Sequence, residues 1–162
     1  MILPPTYLPL HLLKQPQNLE YLTLKTALNR NELPGVVFLV RSYPKLNTIT
    51  FILQPTVPLS DYTYPFKPVT DREDFWKVDD DQPVLCFQLH LRVVKIENFR
   101  GSRNEFDLLR FFLREAKSLR KVILCPALNG VLDMTIFDEY VSAARQVESF
   151  ERKSNFLDVI IE

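Results

Sequence analysis

The stretch Leu91-Arg92-Val93-Val94-Lys95-Ile96 has apolar residues at its first, fourth and sixth positions. The same L-x-x-L-x-L spacing occurs five times in the 162-residue chain, with other apolar residues replacing some of the leucines. The starting positions lie 27, 45, 28 and 37 residues apart. A pattern that returns at such intervals indicates a structural repeat. The five hexads begin at Leu19, Leu46, Leu91, Leu119 and Phe156.

The intervals between the hexads predict the fold. Those of 27 and 28 residues are near the period of about 20–29 residues that is typical of leucine-rich repeats. One such repeat cannot bury its own apolar edge, so it is stable only when it stacks on its neighbours. Helical segments joined to the hexads by short connections predict parallel strand pairing. We therefore expect an α/β fold, a short leucine-rich-repeat-like solenoid with parallel strands on one side and helices on the other.

Proline content divides the chain into three parts. Residues 1–54 contain the first two hexads and form a leucine-rich-repeat-like segment. Residues 55–84 contain five prolines and predict a loop inserted into the second repeat, which explains its 45-residue interval. Phe75-Trp76 gives this loop a large apolar surface, so we expect it to pack back on the solenoid. Residues 85–162 form a third domain that continues the same solenoid.

Local signals predict helices between the hexads. Ser102 and Glu105 have the spacing of a capping box, in which each side chain accepts a hydrogen bond from the other residue's backbone. A second helix is predicted over residues 135–150. Pro34 suits the first turn of a helix, but the following residues 36–40 are rich in valine and leave helix or strand open. The apolar stripe of the capped helix consists of Phe106, Leu109, Phe112, Leu113 and Ala116.

Composition excludes several classes of protein. Twenty basic and twenty acidic side chains give a net charge of zero, whereas non-specific nucleic-acid binding needs an excess of lysine and arginine. No window approaches the roughly 18 uninterrupted apolar residues of a membrane span. Cys86 and Cys125 lie among apolar neighbours and are predicted to be reduced packing residues. These features are typical of an intracellular protein, cytoplasmic or nuclear, with no nucleic-acid or membrane partner.

The residue types that catalysis requires are sparse. His11 and His90 are 79 positions apart, and the three glycines are too widely spaced for a phosphate-binding loop. The run Asp79-Asp80-Asp81 lacks the glycine and the spacing of a calcium loop, so a solvated acidic loop is the better interpretation. We therefore predict no enzyme activity, no catalytic residue, no metal and no cofactor, with a small enzyme kept as a remote alternative.

The strand residues between the hexad leucines predict a binding surface. If the leucines point inward, their alternates form rows across the concave face of the sheet. This mixture of apolar and charged side chains resembles a protein-binding surface. The alternative is that these are ordinary exposed or loop-covered strand residues. The predicted partner-binding residues are Tyr21, Thr23, Lys25, Thr48, Thr50, Lys95, Glu97, Lys121, Ile123 and Asp158.

Part of the chain resembles a known domain. The run from Leu91 to Gly101, together with Glu105 to Lys117 and Ser118 to Leu124, resembles the opening of the FBD domain that closes plant F-box/leucine-rich-repeat proteins. The upstream Phe75-Trp76 and Cys86-Phe87-x-Leu89 are similar to the stretch that introduces that domain. The resemblance covers residues 75–125 and identifies residues 85–162 as an FBD-like domain. Residues 1–54 look like the last ordinary repeats of the same proteins.

This resemblance implies the substrate-recognition end of an SCF-type ubiquitin ligase, in which an F-box docks on the Skp adaptor and the repeats hold the target. No segment here looks like an F-box, so the resemblance does not extend to binding of the Skp adaptor or cullin. We expect a non-catalytic protein-binding module with an unidentified protein target. The alternative is a truncated or degenerate family member without a dedicated partner.

The first hexad strand has little sequence before it. An earlier repeat would normally cover the strand Leu19–Lys25, but here we expect that only residues 1–17 can cover it. Open strand edges invite pairing with another chain. We therefore predict weak self-association through this strand.

Overall fold

A single parallel sheet organises the protein. The computed structural model describes residues 18–55, 76–78, 81–128 and 134–162. Within them five strands pair in chain order, each parallel to the next. This confirms the predicted α/β arrangement of a leucine-rich-repeat-like solenoid. The strands are β1 (Tyr21–Thr26), β2 (Thr48–Leu53), β3 (Val93–Phe99), β4 (Lys121–Pro126) and β5 (Asp158–Ile161); the helices are α1 (Leu33–Ser42), α2 (Leu85–Leu89), α3 (Arg103–Glu115) and α4 (Met134–Gln146).

The hexad leucines build the core. In β1 to β4 the fourth and sixth hexad positions are buried against the helices. The first position lies before the strand, so the strands begin two residues later than the hexads. Leu46 shows why: it is fully buried, yet its amide bonds to the carbonyl of Tyr43 at 3.2 Å in a turn. In the second, third and fourth hexads the first leucine therefore packs into the core from the connection that precedes the strand.

Helix α1 settles the segment that the sequence leaves open. Residues 36–40 are helical, and Pro34 lies in the first turn as expected. Leu33, Val36, Val37 and Val40 recur at three- and four-residue intervals and are all buried. Packing of this face outweighs the weak helix propensity of the valines, because most helix stability in proteins comes from tertiary contacts.

Helix α3 has the predicted capping box. The Ser102 hydroxyl accepts from the Glu105 amide at 3.3 Å, and the Glu105 carboxylate accepts from the Ser102 amide at 2.7 Å. The carboxylate also accepts from the Arg100 amide at 2.9 Å, so its burial is satisfied. Leu109, Phe112, Leu113 and Ala116 of the predicted stripe are buried, Phe106 is half-buried, and Leu108 and Phe111 are buried as well. The rings that pack together are Phe51, Phe87, Phe111, Phe112 and Trp76.

Helix α2 is absent from the sequence prediction. It has only five residues and no side-chain cap at its start, so it lacks local signals. Its Cys86 and Phe87 are buried in the core, and a distant residue also contacts it: the buried Ser118 hydroxyl lies 2.9 Å from the Phe87 carbonyl and 3.3 Å from the Cys86 carbonyl. The same hydroxyl lies 2.9 Å from the Leu91 carbonyl. Ser118 therefore joins α2 to the connection between α3 and β4.

The last hexad departs from the pattern. Phe156, predicted to point inward, is 73% exposed, and Leu157 is buried in its place. Residues 155–156 form a turn before β5, and the Arg120 guanidinium lies 5.2 Å from the centre of the Phe156 ring. The inward prediction for Phe156 is therefore wrong, because the turn carries its ring out to the surface.

The last helix is shorter than predicted. Helix α4 ends at Gln146 and continues as a 3-10 turn over Val147–Ser149. Gly101 has φ +77°, which suits glycine, and it lies where α4 passes the start of α3.

Some predictions concern residues outside the described part of the chain. These are the packing of most of the 55–84 loop, the acidic residues Asp79 and Asp80, His11, and the cover that residues 1–17 could give to β1. Within the loop, Trp76 is described, and its ring lies 5.2 Å from that of Phe111. This residue of the loop therefore packs on the solenoid as expected.

Candidate interaction face

The strand register aligns the predicted binding residues in rows on the face of the sheet away from the helices, which we call the open face. The first row is Tyr21, Thr48, Val93, Lys121 and Asp158; the second is Thr23, Thr50, Lys95, Ile123 and Ile160; the third is Lys25, Ile52, Glu97 and Cys125. Glu162 follows β5 and extends the third row, since its carboxylate lies 3.5 Å from Cys125 Sγ. These are the rows that the hexad spacing predicts.

All ten predicted partner-binding residues lie on the open face, and none of them is buried. Their binding role stays a prediction, but their position and accessibility suit it. The exposed members are Tyr21, Thr23, Lys25, Lys121 and Asp158. The half-buried members are Thr48, Thr50, Lys95, Glu97 and Ile123.

The two ends of the open face differ in chemistry. On β1 and β2 the face presents threonine hydroxyls, together with the Tyr21 ring, which is 69% exposed. On β4 and β5 the second row presents the apolar side chains of Ile123 and Ile160. A surface with hydroxyl groups at one end and aliphatic groups at the other can bind a partner with polar and apolar residues.

Lys95 lies at the centre of the open face between two carboxylates. Its Nζ is 3.3 Å from Glu97 Oε1 and 3.8 Å from Glu162 Oε2. The hydrogen bond that Lys95 donates to Glu97 is the main cause that raises the pKa of Lys95. Because these side chains are partly exposed, the ion pairs contribute only about 0–1 kcal/mol to stability. The cluster therefore fixes a charge pattern on the face and adds little to folding.

Cys125 lies next to this cluster, and its thiol donates to Glu162 Oε2. Partial burial raises the pKa of Cys125, the Lys95 charge lowers it, and Glu162 raises it again. Burial raises the pKa of Cys86 on the helix side to about 12. Since the thiolate is the nucleophilic form, neither cysteine is activated for chemistry.

A metal centre finds no support in the part of the chain that the structure describes. Among those residues no group of three histidines, cysteines or carboxylates is arranged to hold a metal ion. His90 is exposed, in the connection before β3. The described helices also include none that is both long enough and apolar enough to cross a membrane.

Two asparagines outside the set of predicted partner-binding residues fix the loops beside the open face. Asn98 has φ +61°, and its side-chain amide donates to the Leu53 carbonyl at 3.1 Å, where β3 has a bulge. Asn104 donates to the Leu28 carbonyl at 2.9 Å and thereby ties α3 to the connection after β1. Asparagine tolerates positive φ better than most residues, but the sequence alone does not show which asparagines have distant carbonyl partners.

Comparisons with known proteins find one matching family and several similar plant proteins. Residues 80–124 match the FBD family. The chain is similar to an F-box protein of Arabidopsis thaliana, with 29% identity over 147 residues that make up 91% of this chain and 30% of that protein. A putative F-box/LRR-repeat protein of the same plant is 32% identical over 106 residues, 64% of this chain and 21% of that protein. A putative F-box/FBD/LRR-repeat protein, also from Arabidopsis thaliana, is 30% identical over 110 residues, 66% and 22% of the two chains.

The matched stretch is a minor part of these relatives, since it spans between 21% and 30% of their length. None of the three names denotes an enzyme. No solved structure gives a significant match to the chain.

Proposed function

We propose that this chain, whose residues 80–124 match the FBD family, is a non-catalytic protein-binding module whose open face binds a partner protein. The module resembles the substrate-recognition end of an F-box protein in an SCF-type ubiquitin ligase. Its protein target is unidentified. The names of the relatives support membership of the F-box group, and the ligase role is part of the proposal.

The observation that carries this proposal is the exposure of polar and charged residues along five aligned strands. The open face combines hydroxyl groups, a central lysine between two carboxylates, and half-buried isoleucines. Such a mixture favours a protein partner over a lipid surface or a nucleic-acid backbone. Expression in the cytoplasm or nucleus agrees with the free state of both cysteines.

Affinity capture tests the proposal. The tagged full chain is incubated with plant cell extract, and the bound proteins are quantified by mass spectrometry. The test variant is the double substitution Thr50→Arg with Ile123→Arg, which places two bulky cations in the second row of the open face. The matched control, Ser142→Arg with Gln146→Arg, adds the same charges to exposed positions of α4. Circular dichroism melting establishes that both variants are folded.

We expect the wild type and the α4 control to capture the same specific protein and the open-face variant to lose it. Equal capture by all three chains would show that the open face is not the binding surface. Skp adaptor and cullin among the specific partners would establish the ligase role. Chaperones alone, captured by every chain, would instead favour a degenerate family member without a partner.

Self-association through β1 is a second, separate part of the proposal. In the described sheet β1 is the end strand and pairs only with β2. Its outer backbone groups are therefore candidates for pairing with a second copy of the chain. Light scattering at increasing micromolar concentration should show a rising mean mass, and a constant monomer mass would contradict this part.

A further inference from the structure

The connections that lead into β2, β3 and β4 concentrate positive charge, although the whole chain has none in excess. They bring Lys45, Arg92, Lys117 and Arg120 to one edge of the sheet, and Lys121 begins β4 beside them. The described segments 43–47, 89–92 and 116–121 contain no aspartate or glutamate. We call this part of the molecule the amino edge, because the strands begin there.

Backbone hydrogen bonds make the amino edge continuous. The Arg92 amide donates to the Asn47 carbonyl at 2.8 Å, and the Arg120 amide donates to the Arg92 carbonyl, also at 2.8 Å. Neighbouring strands in a sheet are about 4.8 Å apart, and the two arginines directly precede the adjacent strands β3 and β4. The Arg92 side chain bridges the connections, since it donates to the Ser118 carbonyl at 3.3 Å and to the Leu89 carbonyl at 3.4 Å.

The positive charge of this edge is not neutralised by the described residues. The ion pairs within 4.0 Å in that part of the chain involve Lys95, Arg103, Arg110 and Arg114, all outside the amino edge. Arg92 uses neutral carbonyls as its partners. At the two ends of the edge, Glu20 lies before β1, and Asp158 lies at the start of β5 in register with Lys121.

Exposed apolar side chains accompany these cations. Leu89 is 67% exposed and Phe156 is 73% exposed. The Arg120 guanidinium lies 5.2 Å from the centre of the Phe156 ring, which holds the cation and the ring next to each other. A nucleic-acid backbone offers phosphates but no apolar side chains for Leu89. A protein segment with carboxylates and apolar residues matches both features.

From this arrangement we propose that the amino edge is a second interaction surface, which binds an acidic protein segment with interspersed apolar residues. The carboxylates of the segment pair with Arg120, Lys117 and Arg92, and its apolar side chains contact Leu89 and Phe156. This surface is separate from the centre of the open face. A negative result for one surface therefore does not contradict the proposal for the other.

Fluorescence anisotropy with a defined probe tests the proposal on the full chain. The probe is a fluorescein-labelled peptide in which glutamates alternate with leucine and glycine, and its counterpart has glutamine at every glutamate position. We expect the glutamate peptide to bind and the glutamine peptide to bind at least about tenfold more weakly, because charge-assisted hydrogen bonds are among the strongest. Added salt should weaken binding of the glutamate peptide.

Matched variants locate the binding. Arg120→Gln and Lys117→Gln each remove one exposed cation from the amino edge, and Arg103→Gln removes one from the other end of the molecule, at the start of α3. We expect the affinity for the glutamate peptide to fall about tenfold in Arg120→Gln, to fall less in Lys117→Gln, and to stay unchanged in Arg103→Gln. Circular dichroism checks that each variant is folded. Because the two edge variants change different sites, a loss of affinity in both cannot come from misfolding at one site.

Three results would overturn the proposal. Equal affinity for the glutamate and glutamine peptides would show that charge is not recognised. Equal losses in Arg120→Gln and Arg103→Gln would show that only total charge matters. Tighter binding of a single-stranded oligothymidylate than of the glutamate peptide, lost in Arg120→Gln, would assign the edge to nucleic acid.

Discussion

The two faces of the sheet come from the same strands and differ in almost every property. On the helix side Ile49, Phe51, Val94 and Ile96 are fully buried. On the open side the residues between them are polar or charged and at least partly exposed to solvent. One position along a strand therefore separates a residue that stabilises the fold from a residue that is free to serve binding. Stability and recognition can change independently in such a sheet.

The largest expected effect concerns adjacent residues of β3. Ile96→Ala removes a fully buried side chain and should lower the free energy of unfolding by about 2–5 kcal/mol. Lys95→Ala, one residue away on the open face, removes only partly exposed ion pairs and should change it by less than about 1 kcal/mol. Chemical denaturation of the two variants measures both values. Similar losses would mean that the open face also contributes substantially to folding.

A second prediction concerns how α4 packs. Gly101→Ala should destabilise the protein by about 1–2 kcal/mol for the left-handed backbone alone. The new Cβ would also lie only 2.4 Å from the Cβ of Ala143 in α4. Thermal denaturation of Gly101→Ala, Ala143→Gly and the double variant isolates that contact. We expect the double variant to be more stable than the sum of the two single changes predicts, and strict additivity would contradict the close approach.

A smaller effect is expected at the start of α3. Ser102→Ala removes the side-chain acceptor of the capping box and should cost about 1 kcal/mol. Ser149→Ala is the control, because that hydroxyl bonds to the Gln146 carbonyl on the exposed surface. The two midpoints of urea unfolding give the comparison. A loss for Ser149→Ala as large as that for Ser102→Ala would mean that the cap has no special role.

The smallest effects concern the two cysteines, one on each side of the sheet. In the folded protein at mildly alkaline pH a thiol reagent should label Cys125 and leave the buried Cys86 unmodified. Glu162→Gln should speed labelling of Cys125 severalfold, because it removes a carboxylate that raises the pKa of that thiol. Lys95→Met should slow it, because it removes the cation that lowers the pKa. The reverse order would contradict the assigned contacts.

The raised pKa of Cys86 also has a consequence for stability. The folded protein holds the Cys86 proton more tightly than the unfolded chain does. The resulting contribution to the free energy of unfolding is therefore fully present at pH values below 9.0. It is lost as pH rises from the ordinary thiol pKa of 9.0 towards about 12. Denaturation across this range should therefore show a fall in stability that is smaller in Cys86→Ala, in which the raised pKa values of Cys125 and Lys95 remain. An identical fall in that variant would assign the effect to other groups.

The hexads predict much of the fold because each alternating apolar residue specifies which side of a strand faces the core. A slip of one residue would expose the whole apolar set, so the register and the rows of the open face follow from the same spacing. The capping box is local and is equally visible in the sequence. These features explain why all ten predicted face residues lie where the pattern places them.

Other features depend on contacts between distant residues and leave no local signal. Helix α2 is held by Ser118, whose hydroxyl contacts Cys86 at a separation of 32 residues. The outward position of Phe156 depends on a turn and on the neighbouring Arg120. The amino edge gathers cations from three separate connections, so a composition with zero net charge conceals it.

Site-specific photo-crosslinking can show directly whether the open face contacts a partner protein. Benzoylphenylalanine is placed at Ile123 on the open face in one chain and at the exposed Arg114 of α3 in another, and each is irradiated in plant cell extract. We expect a specific protein adduct from position 123 and none from position 114. Adducts from position 114 alone, or the same adducts from both positions, would contradict binding by the open face.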